Sequence, residues 1–385
     1  MKNLLFIYIS CIAFSSSLAQ NDTSKTRPSQ VTFLYPLGTN GVETDYVNNF
    51  SFNILYGVNG GLNGFELGGL MNTNLGHVNG CQIAGIANMN SQAANGMMIA
   101  GIGNFVKDTS NAICFAGISN VIGGSATGLQ IAGISNTVNG DFMGGQIAGI
   151  TNITNGNFFG PQISGITNIA AGNADGTQIS GISNLIEGDL NGAQIGLINR
   201  AKKINGFQLG LINISDSFEK GAPLGLISFV KKGYHSLELS TRDLIYVNLN
   251  FKMGVERLYT IYKAGFTASH GTNYWSIGLG IGTKIKFTER LNLSVDLANS
   301  SIIRQTFSPR INLLTELDLA VRYNFGERIT AFAGPTFNVY NAEFNPSGET
   351  PDLVVPYSIH TWNWLNSQGQ TFTWVGATAG VAVNF

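Results

Sequence analysis

The sequence predicts an all-β chain: a repeat β-solenoid of 16-residue coils inserted into an antiparallel membrane β-barrel of about eight strands. Three observations carry this. Residues 64–191 repeat one 16-residue unit without an insertion, as in GLQIAGISNTVNGDFM at 128–143 and GGQIAGITNITNGNFF at 144–159. After His235 the chain alternates apolar and polar residues over stretches longer than ordinary strands. The chain closes on Val375, Ala377, Ala379, Val381, Val383 and Phe385, which share one face of a strand.

At the amino end, Met1-Lys2-Asn3 leads into the apolar run Leu4–Phe14 and the small residues before Ala19. A basic start, a short apolar core and a small-residue cleavage site read as a signal peptide, 1–19. The run is too short to span a bilayer as a helix. Residues 20–48 form a polar N-terminal segment. In 49–57, Phe50, Phe52, Ile54 and Tyr56 alternate onto one face and read as a first barrel strand. The solenoid is expected over 58–232 and the remaining barrel strands over 233–385.

A fixed repeat period decides the architecture of the middle. Asn72, Asn88, Asn104, Asn120, Asn136, Asn152, Asn168 and Asn184 recur at one phase. Gly69, Gly85, Gly101, Gly117, Gly133, Gly149, Gly165 and Gly181 precede them by three residues. Leu70, and then Ile at each later repeat, follows the glycine. The unit is too short for a helix–turn–helix, and Ile, Gly, Asn, Thr and Ser suit short strands and corners. Ile131 and Ile134 flank Gly133 three residues apart, so a corner or bulge is needed there. The expectation is a glycine corner at positive φ, Ile filling the coil, and Asn side chains hydrogen-bonded up the stack. Coils stacked ~4.8 Å apart tolerate no insertion, and ten or eleven make a rod roughly 50 Å long. After Asn191 the unit contracts, and Arg200, Lys202 and Lys203 appear, as expected of a capped end.

In the last segment, Trp275, Ile277, Leu279 and Ile281 oppose Ser276, Gly278 and Gly280, while Leu317, Leu319 and Val321 oppose Glu316, Asp318 and Arg322. Lys252, Lys284, Lys286, Asp296, Glu316, Asp318 and Arg322 then fall on the predicted inward face. An eight-stranded barrel is just wide enough to be filled by side chains, so these are expected to form a plugging ion-pair network. Short junctions at Val255-Glu256-Arg257, Thr288-Glu289-Arg290 and Gly326-Glu327-Arg328 alternate with longer ones. Spans at 373–385, 329–341, 313–325, 290–303, 274–287, 258–268 and 237–253, with 49–57, make eight. Short turns are periplasmic in such barrels, which puts the solenoid in the first outer loop. Counting 31–36 and 235–240 as further strands gives ten and turns it inward; six residues are short for a span.

A Gly-x-Gln-Ile-x-Gly-Ile-x-Asn repeat in an exported chain with a barrel-like end resembles the bacterial surface-repeat outer-membrane proteins. The resemblance covers most of residues 50–385, including Asn53-Ile54-Leu55-Tyr56-Gly57. Met98 and Cys114 replace the repeat's Gln, and Ala112 replaces its leading Gly. The terminal Phe385 resembles the assembly signal of outer-membrane barrels. The resemblance implies outer-membrane lipid and the barrel-assembly machinery as partners, and no catalytic residues.

The composition excludes several function classes. A net charge of −1, with 11% charged residues, gives no electrostatic case for nucleic acid. Cys81 and Cys114 lie about two coils apart, ~9–10 Å, beyond the ~7 Å limit of a disulfide. They read as buried or ladder thiols. His77, His235, His270 and His360 are isolated and read as solvated edge or loop residues, not bases or ligands. Asp141 and Asp175 are two coils apart, and nothing holds them at the ~5–9.5 Å of paired-carboxylate catalysis. Phosphate-loop and calcium-repeat patterns are absent. No cofactor or metal is expected, and no enzyme. The expectation is an outer-membrane anchor displaying the solenoid outside the cell, in a structural role or binding a glycan or surface protein. A small channel is the alternative, and a glycan-active β-helix enzyme a distant third.

Overall fold

The computed structural model describes residues 25–269, 271–304, 311–343, 353, 355, 357–364 and 369–385. The leader expected at 1–19 and His270 lie outside these. Every regular element among the described residues is a strand, arranged as a parallel solenoid followed by a closed eight-stranded antiparallel barrel.

One solenoid coil consists of a longer strand such as Ala126–Ala132, a corner at Gly133 and Ile134, and a short strand such as Ser135–Val138. Coils stack in exact phase where the unit is 16 residues, pairing Gln130 with Gln146 and Asn136 with Asn152. The interior is narrow. Gln130, Ala132, Asn136, Val138 and Phe142 fill it, all buried.

Two details of the expected coil are corrected. The Ile residues do not fill the interior: Ile134, Ile150 and Ile166 are each 41% exposed, and Ile147 and Ile163 point outward as well. The corner breaks the alternation, so both Ile positions flanking the glycine end up outside while Gln, Ala and Asn take the interior. Nor do the glycines from Gly69 to Gly181 need a positive φ. A Cβ there would stand 2.0–2.3 Å from a carbonyl oxygen of the preceding coil, so close stacking demands glycine. Positive φ belongs to the other row, such as Gly96 (114°) and Gly128 (109°), where the longer strand bulges. Where Ala112 replaces that glycine, the strand alternates strictly and Ala112 fills core.

The amino-terminal boundary also moves. Residues 49–57 are not a barrel strand. They lie within Tyr46–Asn59, which pairs in parallel with Lys25–Leu34 on one side and with Gly61–Gly68 and Met71–Asn74 on the other. Residues 25–45, most of the segment expected to precede the fold, are therefore its first coil. Alternation fixed which residues share a face, and Phe50, Phe52 and Ile54 are indeed outward together. Alternation carries no information about the partner strand.

The barrel strands are β1 (Tyr234–Arg242), β2 (Val247–Val255), β3 (Leu258–Ser269), β4 (Thr272–Lys286), β5 (Leu291–Arg304), β6 (Asn312–Asn324), β7 (Ile329–Glu343) and β8 (Gly369–Asn384). β1 pairs with β8 from Ser236↔Asn384 to Arg242↔Thr378 and closes the ring. The count of eight stands, although 237–253 is two strands. The chain reverses at 243–246, where Leu244 and Ile245 are buried. A short strand, His360–Trp364, pairs with the start of β8.

The turns at 256–257, 287–290 and 325–328 share one end of the barrel with Phe385 and the start of β1. Residues 231–233 join the solenoid to that same end. The outward placement of the repeat rested on 49–57 belonging to the barrel, and that support is gone.

Candidate functional site: the barrel lumen and the solenoid surface

Strand alternation sends every second side chain of the barrel inward. On β1 these include Glu238 and Arg242, on β2 Lys252, and on β3 Tyr259 and Lys263. Lys252 Nζ lies 2.6 Å from Asp296 Oδ2 and 2.9 Å from Glu238 Oε2. Arg322 Nη2 binds the other oxygen of Glu238 at 2.5 Å. Tyr259 donates its hydroxyl to Asp296 Oδ1 at 2.6 Å. Beside this group, Arg242 bridges Glu316 at 3.0 Å and Asp318 at 2.6 Å, and Lys263 also pairs with Glu316. Arg242, Lys252, Lys263 and Arg322 thus face Glu238, Asp296, Glu316 and Asp318, and the buried charges balance.

Five of the seven expected lumen residues, Lys252, Asp296, Glu316, Asp318 and Arg322, are in this network. Lys284 and Lys286 are not. Lys284 sits at the short-turn end, 3.0 Å from Glu256, whose other oxygen takes the exposed Lys286 at 2.6 Å. Partial burial alone would raise the Glu256 carboxyl. Its hydrogen bonds to the two lysines outweigh that and hold it below the ordinary range. Glu238, Arg242 and Lys263 escaped sequence reasoning. The first two lie on a strand whose end was not recognised. Lys263 follows the apolar Ile261 on the same inward face, which hides the polar period.

Above the ion network, toward the longer loops, Leu244, Ile245, Tyr340, Leu353 and Trp374 pack together. Below it the rings of Tyr234 and Tyr259 pack at a tilt, 5.0 Å between centroids. Aromatic, ionic and apolar layers therefore follow one another along the lumen, as the width of eight strands allows.

In the solenoid, each Asn from Asn72 to Asn184 donates Nδ2 to Oδ1 of its successor at 2.8–3.0 Å. The same nitrogen also reaches a backbone carbonyl eleven residues on, such as Ile147 O from Asn136 at 2.8 Å. The ladder satisfies buried amides that would otherwise cost the fold heavily. It is structural.

One buried charge interrupts the interior Gln row. Glu66 accepts hydrogen bonds from Asn59 (2.6 Å), Asn74 (2.7 Å), Gln82 (2.8 Å), Asn53 (3.0 Å) and Ser51 (3.2 Å). Burial raises its carboxyl above the ordinary range, and the amide and hydroxyl donors offset only part of that. Cys114, also inward, is a free thiol pushed up by burial to about 12, while Cys81 is free and half-buried. Among the described residues no three His, Cys, Asp or Glu side chains group as metal ligands. His77 and His360 are exposed, but His235 is buried and bonds Val230 O at 2.7 Å, so it is not the solvated residue expected.

Comparison with protein-family models, curated proteins and solved structures finds no match for this chain.

Proposed function

We propose that this chain is a non-enzymatic outer-membrane protein, in which a solute-tight barrel anchors the solenoid at the membrane. The observation that carries this is the contrast between the barrel's two faces. Leu239, Trp275, Ile277, Ile281, Val321 and Val381 stand 44–64% exposed around its outside, while the charges inside pair off. A wall of this kind far exceeds the ~300–600 Å² apolar patch of a typical water-soluble protein, whereas lipid covers it at no cost. The leader read at 1–19 and the resemblance to surface-repeat outer-membrane proteins support export to that membrane.

Outer-membrane barrels keep short turns on the periplasmic side. The solenoid joins at the end where every turn is short, opposite the end that carries the long connections after Arg304 and Glu343, which supports a periplasmic position and reverses the extracellular display expected from the sequence. The role we assign is a rigid scaffold held at the inner face of the outer membrane, in place of a surface adhesin. Planar-bilayer recording tests the closed barrel: a folded, inserted protein gives no discrete conductance. Reproducible open channels would replace this reading with that of a small transporter.

A further inference from the structure

The solenoid is amphipathic across its width. One row of outward side chains runs Leu67, Ile83, Ile99, Phe115 and onward to Leu224, each step fixed by the strand register. A second row, around the glycine corner, runs from Leu70 through Ile118 and Ile166 to Leu226. Every position in both rows is aliphatic or aromatic. Between residues 67 and 232 the exposed charges lie on the opposite edge, with Arg200 the one exception. They occupy connections such as 107–109, 139–141 and 187–189, the strand starts just after them, or the equivalent positions of the contracted coils.

The junction fixes how this rod is aimed. In inner coils the corner carbonyl accepts from the next coil, as Leu211 O does from Ile227 N at 2.9 Å. The last coil has no successor, and the barrel wall takes its place. Thr260 donates to Gly225 O at 2.9 Å, Tyr262 to Leu226 O, and His235 Nε2–H to Val230 O at 2.7 Å. Thr260, Tyr262 and His235 alternate with the lumen residues Tyr259, Ile261 and Tyr234, so they are on the outside of the barrel. Forward-pointing carbonyls that end on the barrel's outer wall mean that the solenoid axis leaves the barrel sideways.

The coil's rotation is fixed as well. Leu226 meets Tyr262, higher on β3 than the Thr260 that meets Gly225. On the other edge Glu219 and Lys232 line a cleft with Glu256 and Arg257 of the short turn. The apolar corner is thus turned toward the middle of the barrel wall and the charged edge toward its end. A run of ring contacts, Phe229–His235–Phe385–Phe251–Tyr262, with centroids 5.6–6.3 Å apart, tilted at the first pair and stacked at the other three, makes the rod's apolar side continuous with the wall.

We infer that the solenoid lies flat along the phospholipid leaflet of the membrane the barrel spans, with its two aliphatic rows in the interface and its charged edge in water. This rests on the barrel being membrane-embedded. The rows extend on the order of 50 Å at the strand spacing, and an amphipathic element of this kind seats its apolar face ~5–10 Å into the headgroup boundary.

The test uses the full chain in phosphatidylethanolamine/phosphatidylglycerol vesicles, with nitroxides at Ile150→Cys, Asn155→Cys or Leu279→Cys on a Cys81→Ser background. Ile150 is outward, and Cys114 is buried and out of reach of the reagent. The expected result is relaxation dominated by dissolved oxygen at Ile150 and Leu279, and by a water-soluble nickel chelate at Asn155. Nickel-dominated relaxation at Ile150 while Leu279 remains oxygen-dominated overturns the inference and leaves the barrel in its membrane. Spin–spin broadening between Ile150 labels, without oxygen exposure, also overturns it and assigns the rows to a second copy. Nickel access at Leu279 sinks the membrane reading itself.

Discussion

Asn136→Ala tests the ladder where its partners are most regular. Asn136 accepts from Asn120 Nδ2 at 2.9 Å and donates to Asn152 Oδ1 at 2.9 Å and Ile147 O at 2.8 Å. Asn120 keeps a second acceptor in Ile131 O at 3.0 Å, so its amide stays satisfied. Asn152 Oδ1 and Ile147 O lose the amide that bound them. Ile147 O lies in the strand ladder, so the buried acceptor left unpaired is Asn152 Oδ1, and the substitution should cost roughly 1–3 kcal/mol. A coil touches only its neighbours, so the loss should be local. Amide hydrogen exchange, resolved by coil, should show protection falling across about 120–160 and unchanged in the barrel. Ile134→Ala, on an exposed side chain two residues away, is the control. A ladder variant no more labile than this control would refute the structural role of the asparagines.

Further predictions use the same logic. Gly149→Ala puts a Cβ 2.1 Å from Gly133 O, a backbone atom of the adjacent coil that cannot swing aside. It should destabilise by ~1–3 kcal/mol or more, read by thermal unfolding; a neutral effect would contradict the stacking distance. In the lumen, Lys252→Met leaves Asp296 with the Tyr259 hydroxyl but no cation, while Glu238 keeps Arg322, and breaking a buried pair costs about 3–5 kcal/mol. The double variant Lys252→Met/Asp296→Asn should recover part of that in the heat-modifiability of the folded barrel on gels. Glu66 gives a pH dependence. Its folded pKa is raised, so the folded state holds more protons than the unfolded between the two pKa values. Stability then falls as pH rises through that window and levels off above it. Glu66→Gln should match or exceed the parent in neutral-pH melts, with the gap closing toward acid; a less stable variant at neutral pH would reverse the sign.

Much of the fold was legible because stacking leaves a strong mark. An indel-free period of 16 announces coils, and a glycine recurring beside a buried Asn announces a tight corner. The lumen was legible where strands alternate cleanly, as at Glu316, Asp318 and Arg322. Four things were hidden for physical reasons. The strand Tyr46–Asn59 alternates like a barrel strand, and only its parallel partners reveal the difference. The reversal at 243–246 contains no glycine or proline, so β1 and β2 read as one span. Ile beside a glycine reads as core, yet the corner rotates it outward. His235 was read as solvated because capping a neighbouring domain's carbonyl leaves no sequence pattern.

Side-specific labelling in cells tests most directly the claim that the solenoid hangs from the barrel's periplasmic end. Asn155→Cys marks the solenoid's polar edge, and Ser358→Cys marks the long-loop end of the barrel; both sites are exposed. With a membrane-impermeant maleimide and the Cys81→Ser background, Ser358→Cys should react on intact cells, and Asn155→Cys only after the outer membrane is opened. Labelling of Asn155→Cys on intact cells would contradict the account.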